Sequence, residues 1–419
     1  MRRIPWSHDP ETVVAELRGF APPAAEVRAA VTTILEDVRA RGDGAVRAHT
    51  LRLDGVDLPD DYRVPQGDLR ERLAALAPGL REALEVAAGN IRAYHEREAA
   101  AAWRQTLPQG QVVGQEVVPV AAAGLYVPGG LGNYPSSVLM TAVPALVAGV
   151  QRIVVCSPPR PGGGAAAGVA AACALLGVDH VFPIGGAQAV AAMAFGTAVV
   201  PRCDVIVGPG NAYVTEAKRQ VLGSVGIDSL AGPSEVLVIA DETADPEWLA
   251  ADLLAQAEHG AGAMACLADV GGSLGGPVGD SVAALADELG VSADNVAMVA
   301  CPDRDAAVAL CNAFAPEHLE LHVSDAAALV PRVRNAGAVF VGAYAATAFA
   351  DYAAGSNHVL PTGGAARFAQ GLSVDAFQKK VAVVELDAAA AAALAPHVAA
   401  IADEEGFRAH ARSARLRAQ

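Results

Sequence analysis

The segments GLYVPGG (residues 124–130), RIVVCS (152–157), DHVFPIGG (179–186) and DVIVGPGN (204–211) decide the fold. Each is a short apolar run followed by an Ala-rich stretch that opens on glycine or small polar residues. Apolar runs of strand length separated by helix-length stretches specify a parallel sheet covered on both faces. Helix N-termini then line the carboxyl edge of that sheet, where ligands of such folds bind. A second series begins with EVLVIAD (235–241) and a helix over 247–259. It continues through ACLADV (265–270), NVAMVAC (295–301), HLELHV (318–323) and AVFVG (338–342), again with helical stretches between. The chain is therefore α/β, with two doubly wound, incomplete Rossmann-like globules and small helical extensions at each end. Two helices over 24–41 and 68–100 precede the first series and are assigned to the second globule, through a chain that leaves and returns. The resulting units are 1–23, then 24–125 together with 236–372, then 126–235, and finally 373–419, where the run of alanines from 388 to 393 is a strong helix former.

With 419 residues, 53% apolar and 18% charged, the chain has ample material for packed cores and is no disordered or fibrous protein. A formal net charge of −16 argues against a surface that binds a phosphate backbone, so no nucleic acid partner is expected. An anionic dinucleotide is not excluded, because a helix N-terminus recognises it without net basic charge. No two of the six cysteines have CxxC spacing, which fits reduced core residues. The start, MRRIPWSHDPETVV, has no apolar core of a signal peptide. The uncharged stretches over 138–150 and 161–178 are too short or too rich in glycine and alanine to span a membrane. No membrane association and a cytoplasmic location are expected.

The usual dinucleotide fingerprint occurs only as a decoy. Gly260, Gly262 and Ala265 fit GxGxx[GA], but they follow a helix and precede a strand, the reverse of the required context. The three glycine-containing strand-to-helix turns of the first globule are better placed, and they carry Tyr126, Gln188 and Asn211 to one sheet edge. Any one such turn ordinarily does no more than close a βα unit; three on one edge favour a ligand modestly. In DLLAQAEHG, Gln256 and His259 stand three residues apart on one helix face, where both could reach a metal. Asp351 and His358 lie in the polar segment DYAAGSNHVLPTGG, and His410 in EEGFRAHARS. Two imidazoles, a carboxylate and an amide oxygen suit Zn²⁺, and the oxygens also tolerate Mn²⁺. Spacing alone is a weak signal here, since polar pairs on helices usually face solvent. Glu317 and His318 in FAPEHLELHV pair a carboxylate with an imidazole, the types that move protons near neutral pH.

Together these segments resemble the histidinol dehydrogenase family. The resemblance runs from RGDGAVRAHTLRLDGV (41–56) through SSVLM, GGAQAVAAMAFGT, GPGNAYVTEAKRQV, AGPSEVLVIAD, QAEHG, APEHLEL, DYAAGSNHVLPT and GLSVDAFQKK to EEGFRAHARS (404–413), nearly the whole chain. It implies an aldehyde-dehydrogenase-like pair of globules, with metal and substrate in the unit built from 24–125 and 236–372 and NAD in 126–235. It also implies zinc-dependent oxidation of L-histidinol to L-histidine through L-histidinal with two NAD reduced, the closing step of histidine biosynthesis. Carried over position by position, it assigns one Zn²⁺ per subunit to Gln256, His259, Asp351 and His410 and proton transfer to Glu317 and His318. The same four metal positions and His318 would also face the substrate, joined by Ser234, His358 and Glu405, and NAD would meet Tyr126, Gln188 and Asn211. A homodimer with shared active sites, exchanging residues 373–419, is implied as well. This chain departs from the family pattern at Ala350, where glycine is common, at Thr141, where asparagine is usual, and in AYAAT, which lacks the Pro or Glu often found there. The alternatives are a related dehydrogenase of another small polyol or amino alcohol, a zinc hydrolase with Glu317 as base, or a metabolite-binding protein. A hydrolase has no use for Tyr126, Gln188 and Asn211 on the other globule, and a binding protein none for an acid-base pair.

Overall fold

All four apolar runs of the first series are strands in the computed structural model, which describes residues 1–19, 26–129, 132–260 and 262–418. The expected helix start at Ala24, the centre of the VPGGLGN loop and Ala261 of the decoy turn lie outside the described residues. The first sheet runs His180–Phe182, Arg152–Cys156, Ala122–Tyr126, Val205–Val207 and Gly226–Ile227 in space, all parallel. The second runs Val296–Cys301, Met264–Val270, Glu235–Ala240, His318–His322 and Ala338–Val341, also parallel. Both sheets thus start at the middle, wind one way, and then reverse beside their first strand. Such a reversal separates the flanking connections and opens a crevice at the strand ends.

Residues 1–19 are less of an appendage than the sequence suggested. Arg2–Ile4 pairs with Val296–Cys301 and adds a sixth strand to the second sheet, while helix Pro10–Arg18 packs Val13, Val14 and Leu17 into the same core. The grouping of 24–125 with 236–372 is corrected by the packing. Helices Arg28–Arg41 and Asp43–Asp54 cover one face of the five-stranded sheet beside Gly186–Phe195, and Gln66–Ala74 and Pro78–Glu98 cover the other beside Ala167–Leu175 and Pro135–Val147. The reason is burial. Both faces of those strands are apolar, and the helices that follow them leave room that Val31, Ile34, Leu35 and Val38 on one side and Leu84, Ala87 and Ile91 on the other complete. The helix expected over 68–100 is broken in two, since Pro78 starts a new helix and holds Ala77 extended at φ −57° and ψ 137°.

A third sheet was not foreseen. Trp103–Thr106, Val112–Pro119 and Gln378–Glu385 form an antiparallel ribbon that ties the C-terminal segment back to the body. Beyond it, helices Ala388–Glu404 and Arg408–Arg417 pack on each other through Ala399, Ala402 and Ala411. They leave Val398, Ile401, Phe407 and Leu416 exposed. No helix among the described residues is long and apolar enough to cross a membrane, and all six cysteines are free and buried.

One buried ion pair shapes the turn after Val205–Val207. Gly208 has φ +111°, and a Cβ there would stand 2.1 Å from the Tyr126 carbonyl oxygen, so only glycine fits. Asp228 accepts from the Gly208 N–H at 2.7 Å, and the Lys218 ammonium bridges Asp228 and the Gly208 carbonyl, the latter at 3.0 Å. Removing one member of a buried pair strands the other charge, at a penalty of about 3–5 kcal/mol. Lys218→Met is therefore expected to lower the unfolding free energy by about that amount in equilibrium denaturation, and a variant as stable as the parent would contradict this account of the turn.

Candidate active site

The carboxyl edge of the five-stranded sheet faces the amino edge of the six-stranded sheet, and a cavity of about 790 Å³ lies between them. From the first sheet come Pro128 and the turn Pro209–Gly210–Asn211; from the second come Ser234, Glu317 and His318 at the starts of their strands. The second sheet's own carboxyl-edge crevice is closed instead. There the buried Asp241 accepts from Thr243 Oγ1 at 2.6 Å, Ser324 N at 3.1 Å and Arg304 Nη2 at 2.7 Å, which fills the position where a ligand of this topology ordinarily sits.

Glu317 and His318 are both buried. Glu317 Oε2 accepts from Ser234 Oγ at 2.5 Å and from the Glu235 N–H at 3.0 Å. Burial raises the Glu317 carboxyl above its ordinary value, against the pull of the His318 charge and of these two donors. His318 Nδ1 donates to the Glu235 carbonyl at 3.2 Å, which leaves Nε2 without a hydrogen-bond partner, 3.7 Å from Asp351 Oδ1. Burial by itself would lower this imidazole, but the flanking carboxylates of Glu317, at 3.5 Å, and Asp351 outweigh it and lift it to about 9. Asp351 is held below the usual carboxylate range: burial opposes, and His318 with the charges of His358 and His259 prevails.

The donors assigned to a metal divide into those the fold assembles and those it does not. Helix Pro246–Ala257 ends just before His259, whose Nδ1 bonds the Ala255 carbonyl at 3.1 Å and so leaves Nε2 as the ligand atom. That is the usual second partner of a metal-bound histidine. One turn earlier Gln256 is 3% exposed, and neither of its amide atoms has a partner among the described residues. An orphaned buried amide is expensive unless something accepts it. His259 and Asp351 line the cavity and Gln256 does not, but the chemistry of the three, an oxygen and nitrogen set, fits Zn²⁺. His358 joins them, with Nδ1 at 3.0 Å from the Asp351 carbonyl, and burial pushes its imidazole below the ordinary value against the pull of Asp351. Glu405 and His410 are exposed and do not line this cavity.

On the other wall, Asn211 caps helix Ala212–Val221 by accepting from the N–H groups of Tyr213 and Val214. Tyr126 and Gln188 do not line the cavity. Tyr126 Oη accepts from the Gly186 N–H at 3.1 Å, and Gln188 Nε2 donates to Asp54 at 3.3 Å, so both are buried just behind that edge. Sequence reasoning missed Glu235, whose side chain burial pushes to about 7 while Arg18, at 3.9 Å, pulls the other way. The hint available was the first residue of EVLVIAD, a charged group opening a buried strand. Of the departures from the family pattern, Thr141 satisfies its own hydroxyl on the Ser137 carbonyl at 2.6 Å, and Ala350 is buried inside helix Thr347–Tyr352. None of the six cysteines lines the cavity.

Comparison with known proteins identifies the family and the fold. A family profile described as histidinol dehydrogenase matches residues 21–418. The histidinol dehydrogenase of Pseudomonas aeruginosa is 47% identical over 396 residues, covering 92% of this chain and 90% of that one. That of Moorella thermoacetica is 47% identical over 399 residues, covering 93% and 94%. The crystal structure of histidinol dehydrogenase from Elizabethkingia anophelis matches with a TM-score of 0.93 at 32% identity, over 100% of this chain and 98% of that one. An acetylating aldehyde dehydrogenase from Geobacillus thermoglucosidasius, at 14% identity and a TM-score of 0.50 over 90% of this chain and 97% of that one, shares the fold.

The position of Glu317 depends on a residue that carries no side chain. A Cβ on Gly337 would stand 2.5 Å from the Glu317 carbonyl oxygen and 3.2 Å from Leu360 and Pro361. Overpacking of this kind costs about 1–3 kcal/mol. Gly337→Ala is expected to lose stability in that range by chemical denaturation; full stability would show that this close approach does not hold the strand.

Proposed function

The chain belongs to the histidinol dehydrogenase family, and from that premise we propose that it oxidises L-histidinol to L-histidine through L-histidinal, with zinc bound and two NAD reduced in turn. The observation that carries this reading is the convergence of Ser234, His259, Glu317, His318, Asp351 and His358 on one cavity whose opposite wall is the glycine turn ending at Asn211. Gln256, His259 and Asp351 would hold the zinc, which supplies a Lewis-acidic anchor for a substrate carrying an imidazole and an amine, while each NAD accepts one hydride. The same oxygen donors would accept Mn²⁺.

His318 takes the proton from the substrate hydroxyl through Nε2, the ring atom that faces Asp351 and has no hydrogen-bond partner. Asp351, one of the two carboxylates that favour a proton on that ring, is also one of the residues that would hold the metal. Glu317, held by Ser234 and the Glu235 N–H, then activates the water that hydrates the aldehyde, and His318 serves again as the hydrate is oxidised. Asn211 and the turn before it would receive NAD, with Tyr126 and Gln188 supporting that edge from behind.

The metal set of one chain lacks its fourth member, because His410 is exposed on a C-terminal segment away from the cavity. Exposed Val398, Ile401, Phe407 and Leu416 on that segment favour a homodimer in which residues 373–419 reach the partner's site, bringing Glu405 and His410. A cytoplasmic location accords with the acidic composition and the six reduced cysteines.

An alcohol that becomes a carboxylate yields two hydrides, so purified protein given L-histidinol and NAD should form two NADH per substrate. One NADH would reduce the reading to a simple alcohol dehydrogenase. Glu317→Gln should slow aldehyde oxidation more than alcohol oxidation, whereas His318→Asn should slow both; equal effects of the two changes on the two half-reactions would refute this division of labour. Mixing inactive His259→Asn and His410→Asn proteins should restore part of the activity if each site draws on two chains, and no recovery would place each site within one.

A further inference from the structure

A second group of ligand-type side chains lies beneath the cavity. Strand His318–His322 alternates, so Leu319 and Leu321 enter one core while His318, Glu320 and His322 share the opposite face, toward helix Pro246–Ala257. His318 belongs to the site above. The other two meet Asp252 of that helix: His322 Nε2 stands 3.4 Å from Glu320 Oε2 and 3.7 Å from Asp252 Oδ2, and the three ligand atoms all lie within 4.8 Å of one another.

These groups are short of partners. Glu320 is fully buried and His322 is 3% exposed, yet Glu320 Oε2 and both ring nitrogens of His322 have no hydrogen-bond partner among the described residues. Two carboxylates at this separation repel unless a proton or a cation lies between them. Donors held about 2.0–2.2 Å from a tetrahedral zinc stand about 3.3–3.6 Å apart, close to the two separations observed here. Asp252 is only half-buried and gives the cluster a way in from solvent.

We propose that Asp252, Glu320 and His322 form a second divalent-cation site, distinct from the one at His259 and Asp351. One imidazole and two carboxylates suit Zn²⁺, Co²⁺ or Mn²⁺. Asp252, Glu320 and His322 do not line the substrate-sized cavity, so the ion is assigned a structural role. Its place explains what it would hold. Asp252 lies one turn before Gln256 on the same helix, and the other oxygen of Glu320 accepts from Thr347 N at 2.6 Å, the start of the short helix that carries Asp351. An ion here fastens both helices to the strand that begins with His318.

Trp248, one turn before Asp252 and packed edge-on to Tyr344 at 5.3 Å, is a built-in reporter. Metal-stripped full-length protein titrated with Co²⁺ should take up two equivalents per chain, one of which quenches Trp248 fluorescence, and the quenching should vanish in W248F. H322Q should lose the quenching equivalent and keep the other, whereas H259N should do the reverse. Should H322Q fail to fold, D252N at the half-buried rim provides the same reading. If the variant binds as many equivalents as the parent, or if the parent shows no quenching that depends on Asp252 and His322, the proposal is overturned. A parent that binds a single equivalent, lost in H322Q and retained in H259N, would uphold this site and reject the metal set proposed for the cavity.

Discussion

A buried strand with an imidazole or a carboxylate at every second position is the constraint on which the rest of this molecule depends. His318, Glu320 and His322 lie on the penultimate strand of a six-stranded sheet, out of water, where polar groups are costly unless the layer packed above answers them. The layer consists of helix Pro246–Ala257, which contributes Asp252 and Gln256, and helix Thr347–Tyr352, which contributes Asp351. The polar stripe therefore selects which helices dock there and in what register. It is also why the groups fitted for chemistry arrive together, since the helices that answer the stripe are the ones that carry the cavity's remaining side chains.

The relative placement of the two sheets follows from a similar economy. Both have the strand order that opens a crevice at the carboxyl edge, and only one uses it. In the six-stranded sheet, the buried Asp241 occupies that position, its carboxylate taken up by Thr243, Ser324 and the partly exposed Arg304. Its amino edge instead meets the carboxyl edge of the other sheet. The cavity thus takes one wall from each globule, as the proposed hydride transfer between separately recognised cofactor and substrate would need. The N-terminal segment takes part as well: Arg18 donates to the carbonyls of Phe314 and Gly363 and approaches Glu235, binding the loops around the cavity to the first helix of the chain.

Much of this was legible in the sequence, and the reasons are local. Continuous apolar runs such as RIVVC and EVLVIA fit only strands buried on both faces, and their spacing called for parallel pairing. The motifs QAEHG and APEHLEL marked residues that the cavity brings together, and the alanine run after residue 387 formed a helix as its propensity required. What was not legible depended on partners distant in sequence. Trp103–Thr106, Val112–Pro119 and Gln378–Glu385 make a sheet only because segments more than 250 residues apart pair, and edge ribbons of mixed polarity give a weak signal alone. The helices over 28–98 carry an apolar stripe that says they pack against a sheet but not against which one.

The sequence by itself thus determined the α/β class, the two strand series and the family, because these are written in period, composition and local motif. Only the tertiary structure decided that the helices over 28–98 belong to the five-stranded unit, that Tyr126 and Gln188 sit behind the cavity rather than on it, and that Asp252 meets Glu320 and His322. The physical reason is the same in each case. Periodicity fixes which face of an element is apolar or polar, whereas the partner that covers that face is chosen by packing and by the need to satisfy buried polar atoms, and both are properties of the assembled chain.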